Sequence, residues 1–220
     1  MSQIVINEYS AANYNTYTDN YGEYEDWVEL YNPTPSDIDL IGWYLTDKPS
    51  NPTKWIVPSS FIIPSMGTVI VYCSGRDEVI GNNAHSNFKI TQTKGNEVLM
   101  LSDATGAFED STRVLPNQNS HSRGREADGS VTWRVFTTAT PGSSNIGAMQ
   151  EYAISPVFSQ SGGYNAAAIN LTLSSPDPTA TIYYTTNGDE PNNLSAIYSA
   201  PINITNTTVI KAIAYSADPL

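Results

Sequence analysis

The chain has 220 residues, a formal net charge of −12 and 40% hydrophobic residues, enough for one or two domains with a packed core. No apolar run approaches the ~20 residues of a membrane-spanning helix. Residues 1–40 hold eight acids and no Lys or Arg, a field that repels a phosphate backbone and disfavours nucleic acid as a partner.

The first predicted element starts at once. Residues 3–9 read as a strand, with no basic n-region or apolar h-region ahead of it, so no signal peptide is expected within this sequence. A Tyr-rich stretch follows, with Tyr14, Tyr17, Tyr21 and Tyr24 at spacings of three, four and three. The intervening Asn, Thr, Asp and Gly favour turns over helix interiors, which predicts an ordered loop. In residues 26–31, Val28 and Leu30 alternate with Trp27, Glu29 and Tyr31, the period of a half-buried strand. Asn32-Pro33-Thr34-Pro35 breaks it, because proline has no N–H to extend a ladder. Further strands are predicted at residues 42–46, 54–57, 68–73, 96–102, 107–114 and 132–136, each rich in Val, Ile, Tyr, Trp or Thr between turn residues. Residues 58–67 read as an extended connector with an apolar anchor, Phe61-Ile62-Ile63. The single cysteine, Cys73, ends the apolar run Val69-Ile70-Val71-Tyr72; it allows no internal disulfide and reads as a buried, inert thiol.

Composition changes near residue 150. Residues 151–220 hold five acids and one base, Lys211, against 17 acids and nine bases before them. Thr140-Pro141-Gly142-Ser143-Ser144-Asn145 closes the first part, a domain of residues 1–148. Residues 149–153 read as a linker and 154–220 as a second domain, with strands at 168–174, 181–186 and 207–215. About 65 residues is near the lower limit for an independent core. The chain reads as a piece of a longer protein.

No catalytic constellation is expected. Glycosidases set two carboxylates across a cleft, whereas Glu25 with Asp26, and Asp189 with Glu190, are neighbours that diverge in a strand. A serine or cysteine nucleophile needs a base, and only His85 and His121 exist, in no nucleophile motif. These residues do not make a zinc site either. Calcium is the ion the composition favours, because it takes carboxylate and carbonyl oxygens from flexible loops. Asp19, Glu23 and Asp26, with Glu8, are the expected ligands; the bland alternative is a solvated acidic loop. Tyr14, Tyr17, Tyr21 and Tyr24 beside Asn13 form either a sugar-stacking platform or rings packed over an open end of a sandwich. Arg113, Arg123, Arg125 and Arg134 either meet an acidic polymer or neutralise Glu109, Asp110, Glu126 and Asp128.

Several stretches together resemble the lamin-tail domain. They are Ile4-Val5-Ile6-Asn7-Glu8, the block from Asp26 to Trp55 that holds three of the four tryptophans, Ser74-Gly75-Arg76-Asp77, and His85-Ser86-Asn87-Phe88-Lys89-Ile90. Gly95-Asn96-Glu97-Val98-Leu99 fits with one extra residue, and Ser122-Arg123-Gly124-Arg125, Asp128-Gly129, Trp133 and Thr140-Pro141-Gly142-x-x-Asn145 fit the closing strands. The Tyr-rich insertion between Glu8 and Asp26 departs from the compact pattern. The second part resembles the chitobiase/β-hexosaminidase C-terminal module, through Pro156-Val157-Phe158-Ser159, Ala180-Thr181-Ile182-Tyr183-Tyr184-Thr185-Thr186-Asn187-Gly188-x-x-Pro191 and Thr207-Thr208-Val209-Ile210-Lys211-Ala212.

These resemblances imply an all-β chain of two immunoglobulin-like β-sandwiches in tandem, of a kind found in bacterial secreted and surface proteins. The role they imply is a non-catalytic extracellular or cell-surface scaffold or binding module. It positions a neighbouring domain or binds protein or polysaccharide, with homodimerisation through sheet edges a further expectation. The alternative is a carbohydrate-binding accessory region of a larger secreted enzyme.

Overall fold

The computed structural model describes residues 3–148 and 154–215. Among these residues there is no helix, and the chain divides into two compact units, residues 1–149 and 150–220. The expected linker at 149–153 lies outside the described residues.

The first unit contains β1 (Val5–Ser10), β2 (Trp27–Tyr31), β3 (Ile38–Asp39), β4 (Tyr44–Thr46), β5 (Trp55–Ile56), β6 (Ile62–Ile63), β7 (Thr68–Tyr72), β8 (Glu78–Ile80), β9 (Asn83–His85), β10 (Val98–Ser102), β11 (Phe108–Arg113), β12 (Ser122–Arg125) and β13 (Trp133–Phe136). Seven of them form one sheet in the order β13-β12-β1-β2-β7-β9-β8, with β7 and β9 parallel. The second sheet runs β11-β10-β4-β5, and β3 pairs with β6 as a separate ribbon. The core draws Ile6, Val28, Leu30 and Val71 from the large sheet and Leu45, Trp55, Leu99 and Leu101 from the smaller one. Each large apolar side chain buried this way contributes roughly 1.5–3 kcal/mol. The connector at 58–67 supplies its anchor as expected, with Phe61 and Ile63 buried in the same core.

β2 corrects one expectation. Its alternation predicted one wet face, yet every residue from Trp27 to Tyr31 is buried. Val28 and Leu30 enter the core, while Trp27 packs with Ile70 and Tyr72 on the outer face, covered by Tyr17 and Ala139. A strand at the centre of a sheet goes dry on both sides once other chain crosses its outer face, and the Tyr-rich insertion and the segment after β13 do so here.

β1 is built for the same covering. Its register against β2 slips between Ile6 and Glu8. The bulge leaves Ile6 and Tyr9 in the core and turns both Asn7 and Glu8 to the outer face.

The second unit contains β14 (Val157–Phe158), β15 (Ile169–Leu171), β16 (Leu173–Ser174), β17 (Thr181–Thr185), β18 (Ala196–Ile197), β19 (Ile202–Ile204) and β20 (Lys211–Tyr215). They pair as β18-β17-β20, β14-β16 and β15-β19. The core is small: Leu171, Leu173, Ile182 and Ala214. The strand expected at 168–174 is split at Thr172, whose N–H donates to Ser159 Oγ at 2.9 Å. The one expected at 207–215 begins only at Lys211.

Candidate functional site

Four groupings bring polar chemistry together, and the most buried lies on the outer face of the large sheet. Glu8 and Glu29 are cross-strand partners there, and both are fully buried. Asn7 Nδ2 donates to Glu29 Oε1 at 2.8 Å and Gly142 N to Glu29 Oε2 at 2.7 Å. Ser122 Oγ and Thr140 N donate to Glu8 Oε1, and Thr140 Oγ1 donates to Glu8 Oε2 at 2.8 Å. Asn145 Nδ2 donates to Arg125 O at 2.6 Å and Asn7 O at 3.3 Å, while Asn145 N donates to Asp128 Oδ1 at 2.9 Å. Thr140, Gly142 and Asn145 of the closing turn therefore clamp it onto β1, β2 and β12.

Burial raises Glu29 to about 8, outweighing the donors that favour its charged form, and raises Glu8 for the same reason. All four carboxyl oxygens hold protein donors. The pair ties down the outer face and presents no reactive acid. Arg125 belongs to the same structure: Nε donates to Ile6 O at 2.8 Å, and Nη2 to Asp110 Oδ2 at 2.7 Å. Arg134 pairs with Glu126 at 3.5 Å, so Arg125 and Arg134 both neutralise acids named from the sequence.

The Tyr-rich insertion is the second grouping. Asn13 is buried, and its Nδ2 donates to Tyr17 O at 2.6 Å and Glu25 O at 2.8 Å, joining the two ends of the loop. Asp26 Oδ1 accepts Asn13 N at 3.0 Å, and burial raises Asp26 to about 6. Asp19 Oδ1 accepts Tyr21 N and Glu23 N at 2.8 and 2.9 Å, a side-chain-capped turn, while Oδ2 is buried without a donor. Glu23 pairs with Arg76. Asp19, Glu23, Asp26 and Glu8 thus each bond different partners. Among the described residues no group of three or more His, Cys, Asp or Glu is arranged to hold a metal ion.

The four tyrosines divide. Tyr17 lies 6.2 Å from both Trp27 and Tyr72, ring centre to ring centre. Tyr21 sits 4.5 Å beneath the Arg76 guanidinium and donates to Glu78 Oε1 at 2.7 Å. Tyr14 and Tyr24 are 67% and 49% exposed.

The third grouping escaped sequence reasoning. Ser74 Oγ lies 3.0 Å from His85 Nδ1, and His85 Nε2 lies 2.7 Å from Asn20 Oδ1. The Asn20 acceptor assigns the ring proton to Nε2 and leaves Nδ1 to accept from Ser74. The ring stacks on Tyr72 at 5.1 Å and meets Tyr21 edge-on at 5.6 Å. Burial lowers the His85 pKa, keeping the ring neutral at pH 7. Such a serine–histidine bond activates nucleophiles in open sites. Here both residues are buried, and the bonds latch the insertion to β9. Beside them Asp77, at φ 60°, accepts the Trp55 indole N–H at 3.1 Å. The available signal was that Ser74-Gly75-Arg76-Asp77 and His85-Ser86-Asn87 each carry polar residues at the end of a strand.

In the second unit, Asp189 and Glu190 each have a partner. Asn187 Nδ2 donates to Asp189 Oδ2 at 2.7 Å, and Lys211 pairs with Glu190. Residues 160–168 and 204–210 flank an open cleft of about 980 Å³.

Residues 1–133 match the family model described as the lamin tail domain, and residues 160–218 match that of the chitobiase/beta-hexosaminidase C-terminal domain. Comparison with curated proteins finds no match. Both domain types are immunoglobulin-like β-sandwiches of non-catalytic, accessory character, in keeping with the all-β reading.

Proposed function

The chain belongs to the lamin tail domain family, and from that premise we propose that it is a non-catalytic scaffold or binding module of the cell exterior. It positions a neighbouring domain, or binds protein or polysaccharide there. The observation that carries this is the sealed outer face of the large sheet. Antiparallel sheets commonly leave one face to water, but Trp27, Glu29 and Tyr72 are buried under the unit's own chain. With that face covered, edges and loops are the surfaces the unit leaves for docking, and the buried acids Glu8 and Glu29 are already hydrogen-bonded internally. The test is surface labelling of intact cells that make the protein. Loss of antibody signal after protease treatment of unbroken cells is expected; a signal seen only after lysis would overturn the exterior location. Incubation with nitrophenyl glycosides and esters is expected to release no nitrophenol above buffer.

One observation favours the second reading, a carbohydrate-binding accessory. The second unit matches a domain type from carbohydrate-processing proteins. No helix among the described residues is long and apolar enough to cross a membrane.

A further inference from the structure

We infer that the cleft of the second unit, between residues 160–168 and 204–210, binds a neutral oligosaccharide. This rests on the carbohydrate-binding reading and gives it a site.

The first observation is size. At about 980 Å³ the cleft lies at the upper end of the ~300–1,000 Å³ typical of ligand sites. The second is charge. No residue around the cleft is an acid, a base or a histidine, in a chain whose net charge is −12. A phosphate, a uronate or a basic peptide finds no counter-ion there. The third is the mixture of surfaces. Leu171, Ile204 and Ile210 are buried or half-buried and give an apolar floor, while Tyr164 and Phe158 stand on the rim.

Tyr164 is 95% exposed, so packing within the unit does not account for its ring. A sugar presents a flat C–H face that covers such a ring, and its hydroxyls need amide and hydroxyl partners. Asn206 supplies them among threonines: its Nδ2 reaches Thr205 Oγ1 at 3.2 Å, while its backbone carbonyl accepts Thr208 Oγ1 at 2.8 Å. Asn165 Nδ2 makes a long bond of 3.3 Å to Gly163 O. The long bonds of these two side-chain amides are readily exchanged for bonds to a ligand. The tyrosines of the first unit differ, since Tyr17 and Tyr21 are engaged by Trp27, Tyr72 and Arg76.

The test is calorimetric titration of the full chain with chitotetraose, cellotetraose and mannotetraose, and with tetragalacturonate as the anionic probe. At least one neutral tetrasaccharide is expected to bind. Tyr164→Ala should weaken it by roughly tenfold or more, Asn206→Ala by several-fold, and Tyr164→Phe by no more than about twofold. Because Tyr164 is so exposed, these variants should melt at the wild-type temperature. Binding that survives Tyr164→Ala and Asn206→Ala unchanged overturns the cleft but leaves the carbohydrate reading standing. Failure of all three neutral probes overturns both. Preference for tetragalacturonate overturns the argument from an uncharged lining.

Discussion

Glu8 and Glu29 face each other across β1 and β2 because β1 carries one extra residue. Regular alternation from Ile6 would send Glu8 into the core and Tyr9 outward. The bulge reverses both. Tyr9 enters the core, where its hydroxyl donates to Arg113 O at 3.0 Å and accepts Leu115 N at 2.9 Å. Glu8 turns to the outer face and receives Ser122 and Thr140.

Stability should depend on pH through these buried carboxyls. Glu29 rises from 4.5 to about 8, Asp26 from 3.8 to about 6, and Glu8 also rises. A group whose folded pKa is raised contributes stability below its unfolded pKa, and that contribution is lost as pH climbs through the folded value. His85, whose pKa is lowered, contributes above its ordinary 6.5 and loses that contribution as pH falls through the folded value. The urea midpoint is therefore expected to fall from pH 6.5 to about 8, the interval left between the ordinary and the raised Glu29 value, and to level off above it. Glu29→Gln should flatten that slope whatever it does to the midpoint itself. An unchanged slope would place the titrating group elsewhere.

Removing the clamp's amide should cost more than an ordinary surface change. Asn145→Ala leaves Arg125 O and Asn7 O without that buried donor, a loss of ~2–3 kcal/mol. An exposed amide such as Asn51 should tolerate alanine within about 0.5 kcal/mol. Denaturant titration of both variants compares the two.

Gly124 is required by close approach. A Cβ there would meet Glu8 Cγ at 3.0 Å and Asn145 Nδ2 at 3.1 Å. Gly124→Ala is expected to destabilise by ~1–3 kcal/mol through overpacking. Pairing it with Asn145→Ala should be less than additive, because one substitution relieves the crowding of the other.

Asp77 holds a left-handed backbone at φ 60° and accepts the Trp55 indole N–H. Asp77→Asn keeps both features and should melt near wild type. Asp77→Val places a β-branched side chain at positive φ and removes the acceptor, with an expected cost of ~2–4 kcal/mol. Tryptophan emission should follow the same order.

The insertion's acids are engaged by protein donors: Asp19 by Tyr21 and Glu23 amides, Asp26 by Asn13, Glu23 by Arg76. Millimolar calcium, or chelator, is accordingly expected to leave the melting temperature unchanged. A rise on calcium addition that Asp19→Asn abolishes would show that the free Asp19 oxygen recruits an ion.

The sequence by itself determined the all-β class and the longer strands. Period-2 alternation and turn residues are local signals, and Val28, Leu30, Ile70 and Val71 follow them. Local patterning did not reveal β12, whose residues Ser122-Arg123-Gly124-Arg125 carry no apolar period, are nonetheless all buried, and are placed among the closing strands only by the family resemblance. Nor did it reveal that Tyr17 covers Trp27, that Asn13 staples the insertion, or that Ser74, His85 and Asn20 meet. Only the tertiary structure decided these. A buried polar group is stable only with its partners in place, and those partners lie far along the chain: Ser122 and Thr140 for Glu8, Asn145 for Asn7, Asn20 for His85.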